Sequence, residues 1–171
     1  GFDKPVMYQL LVFISDLLTG NWGFSYSVAQ DSDVWSLIVL YMPRTIEVML
    51  ISKFLAIGLG IMFGKITARR VNSFWDYLIR FSMYLVLSVP AFVIIIFFVL
   101  LYVNSPYKIF PLYGYKTIYY PDPTFLTGFP LIDSLLAREW YIFLDLVWHL
   151  IIPVATMTIV QMVAIIRQTR T

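Results

Sequence analysis

Residues 81–103 read FSMYLVLSVPAFVIIIFFVLLYV, a run with no Asp, Glu, Lys, Arg or His. As a helix rising about 1.5 Å per residue it is about 34 Å long, enough to cross the roughly 30 Å hydrocarbon core of a bilayer. Two further stretches have the same character. Residues 146–166, LVWHLIIPVATMTIVQMVAII, are uncharged when His149 is neutral. Residues 45–66, TIEVMLISKFLAIGLGIMFGKI, carry Glu47 near one end and Lys53 inside. The sequence therefore predicts an all-α integral membrane protein with three transmembrane helices.

The whole composition agrees. Of the 171 residues 60% are hydrophobic and 13% charged, against about 45–50% and about 25% in soluble domains. There is no cysteine and one histidine, which removes disulfides, thiol catalysis and histidine-rich metal sites. No G-x-x-x-x-G-K-[ST] phosphate loop, no HExxH pair and no nucleic-acid signature occurs. No cofactor is expected, and ATP chemistry would have to come from another chain. Gly1–Ser15 lacks the basic start and small-residue cleavage site of a secretory signal, and both ends read as cut from a longer protein.

Two shorter apolar runs, Val6–Leu18 and Val34–Met42, are too short to span and are expected as helices lying at the membrane surface. A break is expected near Met42–Pro43, because the residue before a proline disfavours helical geometry. These elements make 1–44 one segment and 45–171 a partial transmembrane domain.

Orientation follows from the basic residues. Lys65, Arg69, Arg70, Arg80, Arg167 and Arg170 face one acid, Asp76. On the other side Asp3, Asp16, Asp31, Asp33, Glu47, Asp122, Asp133, Glu139 and Asp145 outnumber Lys4, Arg44, Lys108, Lys116 and Arg138. The loop 67–80 and the C-terminus are therefore placed in the cytoplasm, and 1–44 and 104–145 outside. The outer loop holds Pro106, Pro111, Pro121, Pro123 and Pro130. Proline fixes backbone angles, so an ordered loop is expected, with a short helix over Leu131–Arg138. It reads equally as a packed cap and as a docking surface for an external partner.

Ser52, Ala56, Gly60, Gly64 and Ala68 recur every four residues, and Gly60–Gly64 is a GxxxG pair. Lipid gives helices no hydrophobic reason to associate, so close approach through small residues marks a packing face. Lys53 falls about 20° from Gly60 around an ideal helix and is read as lying within that face. A lysine well inside a span costs about 2.5–3.5 kcal/mol. It either lines a translocation path, where it could meet a substrate carboxylate, or snorkels outward. Pro90 and Pro153 are helix-bend candidates, as hinges or simple bends. Asp145 and His149 share a helix face and form an outer-edge polar pair. An aspartate can orient an imidazole for base catalysis, but no motif places a nucleophile beside them.

In this order along the chain, the residues resemble the permease subunits of oligopeptide/dipeptide/nickel ABC importers. Asp3-Lys4-Pro5 and Gly20-Asn21-Trp22-Gly23-Phe24-Ser25 resemble that family's outer segment, and Pro43-Arg44-Thr45-Ile46-Glu47 its L-P-x-T-x-E. Gly60, Gly64, Arg69-Arg70 and Asp76 follow its cytoplasmic turn, and Ser88-Val89-Pro90-Ala91-Phe92 its S-I-P-x-F. Pro111, Gly114 and Tyr115 resemble L-P-x-x-G-Y, His149-Leu150-Ile151-Ile152-Pro153 H-L-x-L-P, and Arg167 with Thr169-Arg170 the helix end before the coupling loop. Lys53 matches no family pattern.

The resemblance implies a type I ABC importer transmembrane domain in a prokaryotic cell membrane. The family's first span would precede Gly1 and its ATPase-coupling loop would follow Thr171. It further implies a second, homologous permease subunit, cytoplasmic ATPase subunits and an extracytoplasmic substrate-binding protein. The expected cargo is peptides, nickel or oligosaccharides. An ATPase-independent channel or secondary transporter, using Lys53 as a path charge, is the alternative. An intramembrane enzyme using Asp145 and His149 is a further one.

Overall fold

A computed structural model describes residues 3–104, 111 and 114–170. Pro106 and Lys108 of the outer loop lie outside the described residues. The elements run α1 Val6–Leu18, β1 Phe24–Ser25, β2 Ser32–Asp33, α2 Val34–Arg69, α3 Phe74–Ser88, α4 Ala91–Val103, α5 Pro130–Leu136 and α6 Trp140–Arg170. Two compact units divide at Pro43/Arg44.

The first unit holds α1, whose side chains are largely exposed, and a two-stranded antiparallel hairpin pairing Phe24 with Asp33 and Ser25 with Ser32. Asp33 Oδ2 caps the start of α2 by accepting from Ser36 N at 2.9 Å. Trp22 and Trp35 rings pack 5.2 Å apart.

The expected break at Met42–Pro43 does not occur. Val34–Met42 is not a separate surface helix but the first part of the 36-residue α2, which runs through Pro43. A proline forfeits one helical hydrogen bond. A full break in apolar surroundings would expose several backbone polar groups, each costly to leave unsatisfied, so the continuous helix is the smaller penalty. At about 1.5 Å per residue α2 is about 54 Å long, more than a bilayer core requires.

The span expected over 81–103, with Pro90 as its bend candidate, is divided at that proline into two helices. α3 and α4 meet at a bend of 100°. Val89 sits at φ −114°, ψ 124° and Pro90 at φ −58°, ψ 142°. Pro90 drives the residue before it out of helical space, and Pro90 then starts α4. The Ser88 hydroxyl donates back to Tyr84 O at 2.7 Å. By contrast α6 continues through Pro153. Packing separates the two cases: α6 has eight buried side chains, including His149, Val154 and Thr156 around its proline, whereas α4 has none. Neighbours on several sides hold α6 helical where the α3–α4 junction is free to turn.

α3 starts at Phe74, not near 81, so the expected loop 67–80 shrinks to the turn 70–73. The start is set by Ser73, whose Oγ accepts from Asp76 N at 3.3 Å, an N-cap. α6 likewise starts at Trp140, and the short outer helix occupies Pro130–Leu136. α2 and α6 are each long and apolar enough to cross a membrane, and the bent α3–α4 pair gives up to three spans. α6 is the centre of the second unit, packing against α3, α4 and α5.

Candidate functional site: the α2–α6 seam and its outer cap

At two glycines of α2, Gly60 and Gly64, α6 comes close enough that a side chain would clash. A Cβ on Gly60 would lie 2.7 Å from Ile165 Cβ and 3.3 Å from Met162 O. A Cβ on Gly64 would lie 2.6 Å from Thr169 Cβ and 3.3 Å from Ile166 O. Ser52 and Ala56 continue the seam, both fully buried. There the contact becomes polar: Thr158 Oγ1 donates to Ser52 O and Gln161 Nε2 to Ser52 Oγ, each at 3.3 Å. Hydroxyls that lack an interhelical partner bond within their own helix, Thr67 to Gly64 O at 2.8 Å and Thr169 to Ile165 O at 2.8 Å.

Two members of the sequence pattern fall off the seam. Ala68 is exposed and Thr67 is buried in its place, while Lys53 is exposed beside buried Ser52. The reason is geometric. Residues four apart advance about 40° beyond a full turn, so the stripe spirals around α2. Comparing Lys53 with Gly60, two turns away, ignores that drift; at the height of Lys53 the contact direction is that of Ser52, about 100° away.

Above the seam lies a cap built on acidic acceptors. Glu47, buried in α2, accepts from Leu131 N at 2.9 Å and Ile132 N at 3.3 Å, holding the first turn of α5. Arg44 stacks 3.6 Å above the ring of Tyr115. The Tyr115 hydroxyl donates to Asp122. Burial, and then this bond, push the phenol up to about 12, while the same bond holds Asp122 below its ordinary value. Asp145 accepts from Thr117 N at 2.7 Å and Thr117 Oγ1 at 2.6 Å. His149 Nδ1 lies 2.8 Å from Asp145 O. A carbonyl only accepts, so Nδ1 carries the proton. Arg44 and Tyr115, far apart in sequence, thus come together. Sequence reasoning misses the role of Glu47, since its partners lie more than eighty positions away and amides have no sequence signature.

Removing the Glu47 carboxylate leaves two part-buried amides without their acceptor, at a cost of at most about 1–3 kcal/mol. Glu47→Ala is expected to lower the melting temperature of the purified protein and make the segment around α5 the first cut in limited proteolysis. Unchanged melting and cleavage would count against the tie.

At the opposite end Asp76, fully buried, accepts from Asn72 N at 3.0 Å and pairs with Arg80 at 2.9 Å and Arg170 at 3.5 Å. This joins the 70–73 turn to the last turn of α6. Beside it, a groove of about 930 Å³ between α2, α3 and α6 is walled by residues such as Met62, Trp75 and Met162, with Lys65, Arg69 and Arg70 at its rim. Among the described residues no group of three or more Asp, Glu or His could hold a metal ion.

Long apolar helices, a glycine-lined interhelical seam and an ordered polar cap define a multi-pass component of a cell membrane. Residues 56–171 match the family described as binding-protein-dependent transport system inner membrane component, and the chain belongs to that family. It is 30% identical, over 99% of its length, to the probable D,D-dipeptide transport system permease protein DdpB of Escherichia coli K12, covering 49% of that protein. It is 32% identical over 99% of its length to the di/tripeptide transport system permease protein DppB of Pseudomonas aeruginosa, again covering 49%. To the oligopeptide transport system permease protein AppB of Bacillus subtilis it is 30% identical over 99%, covering 47%. The chain spans about half the length of these relatives.

Proposed function

We propose that this chain is part of the permease subunit of a binding-protein-dependent ABC importer, and that it helps form the translocation path for peptides or similar small solutes. The family match over residues 56–171 carries the reading, and the transport systems named for its relatives supply the substrate class. A second, homologous permease would complete the path, an extracytoplasmic binding protein would deliver substrate, and ATP hydrolysis would reside on separate cytoplasmic ATPase chains. The excess of basic residues around the α2–α3 turn and at the end of α6 supports placing these in the cytoplasm and the cap outside.

The α2–α6 seam acts here as a rigid body: helices locked by backbone-close contact move together when ATPases close on the cytoplasmic face. Pro90, at the sharp bend, is a hinge between α3 and α4 in this reading. Lys53, exposed on α2 and off the seam, remains the candidate charge on the path.

Affinity purification of the full-length protein in mild detergent is expected to bring down a second permease and an ATPase carrying a phosphate-binding loop. Peptide uptake in proteoliposomes should stop when that ATPase is inactivated. A homo-oligomer free of ATPase, with uptake that continues without ATP, would replace this reading with a channel or secondary transporter.

A further inference from the structure

α3 and α6 enclose a second cavity, of about 420 Å³, lined by Val71, Arg80, Met83, Tyr84, Leu87, Arg167 and Arg170. Its polar wall is cationic. Arg80 and Arg170 share one carboxylate, Asp76. Arg167 is exposed and makes no ion pair or side-chain hydrogen bond among the described residues. Three arginines against one aspartate leave two uncompensated positive charges around one hollow.

Position matters as much as charge. Arg80 lies in the second turn of α3, and Arg167 and Arg170 in the last turns of α6. All three therefore sit at the same end of apolar helices, where headgroups meet hydrocarbon. One and two turns further along α3, Tyr84 and Leu87 are 64% and 54% exposed, and Met83 lines the same wall. The lining thus changes from cationic to apolar along the direction in which a phospholipid changes from phosphate to acyl chain.

We propose that this cavity binds one anionic phospholipid, with its phosphate between Arg167, Arg170 and Arg80 and an acyl chain along Tyr84 and Leu87. Basic hollows between membrane helices suit such headgroups, and each nearby cation adds attraction to an anionic lipid. Arginine's planar donors match phosphate oxygens. Asp76 positions two of the arginines and keeps them from closing on the phosphate alone. A bound lipid would tie the start of α3 to the end of α6.

The test is native mass spectrometry of the full-length permease in its purified complex, titrated with phosphatidylglycerol or phosphatidylcholine. Wild type is expected to retain phosphatidylglycerol preferentially. Arg167→Gln should cut that retention about fivefold without changing phosphatidylcholine binding, and Arg167→Lys should keep most of it. Arg69→Gln, in the neighbouring groove, should have little effect. Equal retention of the two lipids by wild type would overturn the proposal. So would equal losses in Arg167→Gln and Arg69→Gln, the mark of diffuse surface attraction, or displacement of the lipid by millimolar inorganic phosphate, the mark of a simple anion site. Exclusion of the lipid whenever the ATPase is assembled would reassign the surface to protein contact.

Discussion

Gly60→Leu is expected to destabilise the folded protein strongly and to disrupt its assembly. The first side-chain atom alone would fall 2.7 Å from Ile165 Cβ and Cγ2 and 3.3 Å from the carbonyl of Met162. The Ile165 contacts involve a β-branched side chain with little rotamer freedom on a helix. The Met162 contact is backbone, which cannot turn aside. Relief requires the helices to separate, and separation stretches the Thr158 and Gln161 hydrogen bonds to Ser52, already at 3.3 Å. Overpacking in a well-packed interior costs about 1–3 kcal/mol and occasionally more, and here the lost polar contacts add to it. Gly64→Leu should behave alike through Thr169 and Ile166 O. A Cβ on Gly58 would meet nothing within 4 Å, so Gly58→Leu serves as the matched control on the same helix. Size-exclusion profiles and melting of the three variants in mild detergent check this. Monodisperse peaks of wild-type yield for Gly60→Leu and Gly64→Leu would mean that the seam is not the contact that holds α2 on α6.

The seam is legible in the sequence because its signal is local and periodic: small residues every fourth position survive any choice of neighbour. The apolar centres of α2 and α6 are legible for the same reason, but not their lengths: α2 begins at Val34 and α6 at Trp140, ahead of the runs expected from 45 and 146. What the sequence hides depends on partners. Pro43, Pro90 and Pro153 look alike in one dimension, yet only Pro90 coincides with a sharp turn; burial around Pro153 separates it from Pro90, whereas α2 passes Pro43 although none of its residues before Glu47 is buried. The angle that puts Lys53 in the seam ignores the spiral of a four-residue repeat. Asp145 and His149 stand out by spacing, but the bonds that define Asp145 come from Thr117, in a loop without periodicity. Glu47 and Asp76 read in sequence as charges to count for topology, and both are buried acceptors joined to distant elements.

Asp133 is a further buried acceptor, with local partners five to seven positions away, and neutralising it carries the second large expected effect. Its side chain is 1% exposed and gathers the loop before α5 onto the helix. Thr127 N and Oγ1 donate to Oδ1 at 2.7 and 2.6 Å, and Gly128 N and Leu126 N donate to Oδ2 at 3.0 and 3.3 Å. Burial alone would raise the carboxyl pKa, but these four donors outweigh it and hold the group below its ordinary value. Asp133→Ala leaves the donors without acceptors inside the cap, at a cost on the order of 3 kcal/mol. Melting should drop, with the α5 region protected least in hydrogen exchange. The charge dependence has a definite sign. The unfolded carboxyl titrates near about 3.9 and the folded one lower, so on acidification the unfolded chain takes up the proton first. The contribution of Asp133 is complete above the unfolded value and is lost as pH falls through the folded one. The melting-temperature gap between wild type and Asp133→Asn should therefore be constant from about pH 7 to 5 and narrow below about pH 4. A gap that stays constant to the lowest pH at which the protein remains folded would show that the four donors do not distinguish the charged carboxylate from its amide isostere, and that the knot is held by shape alone.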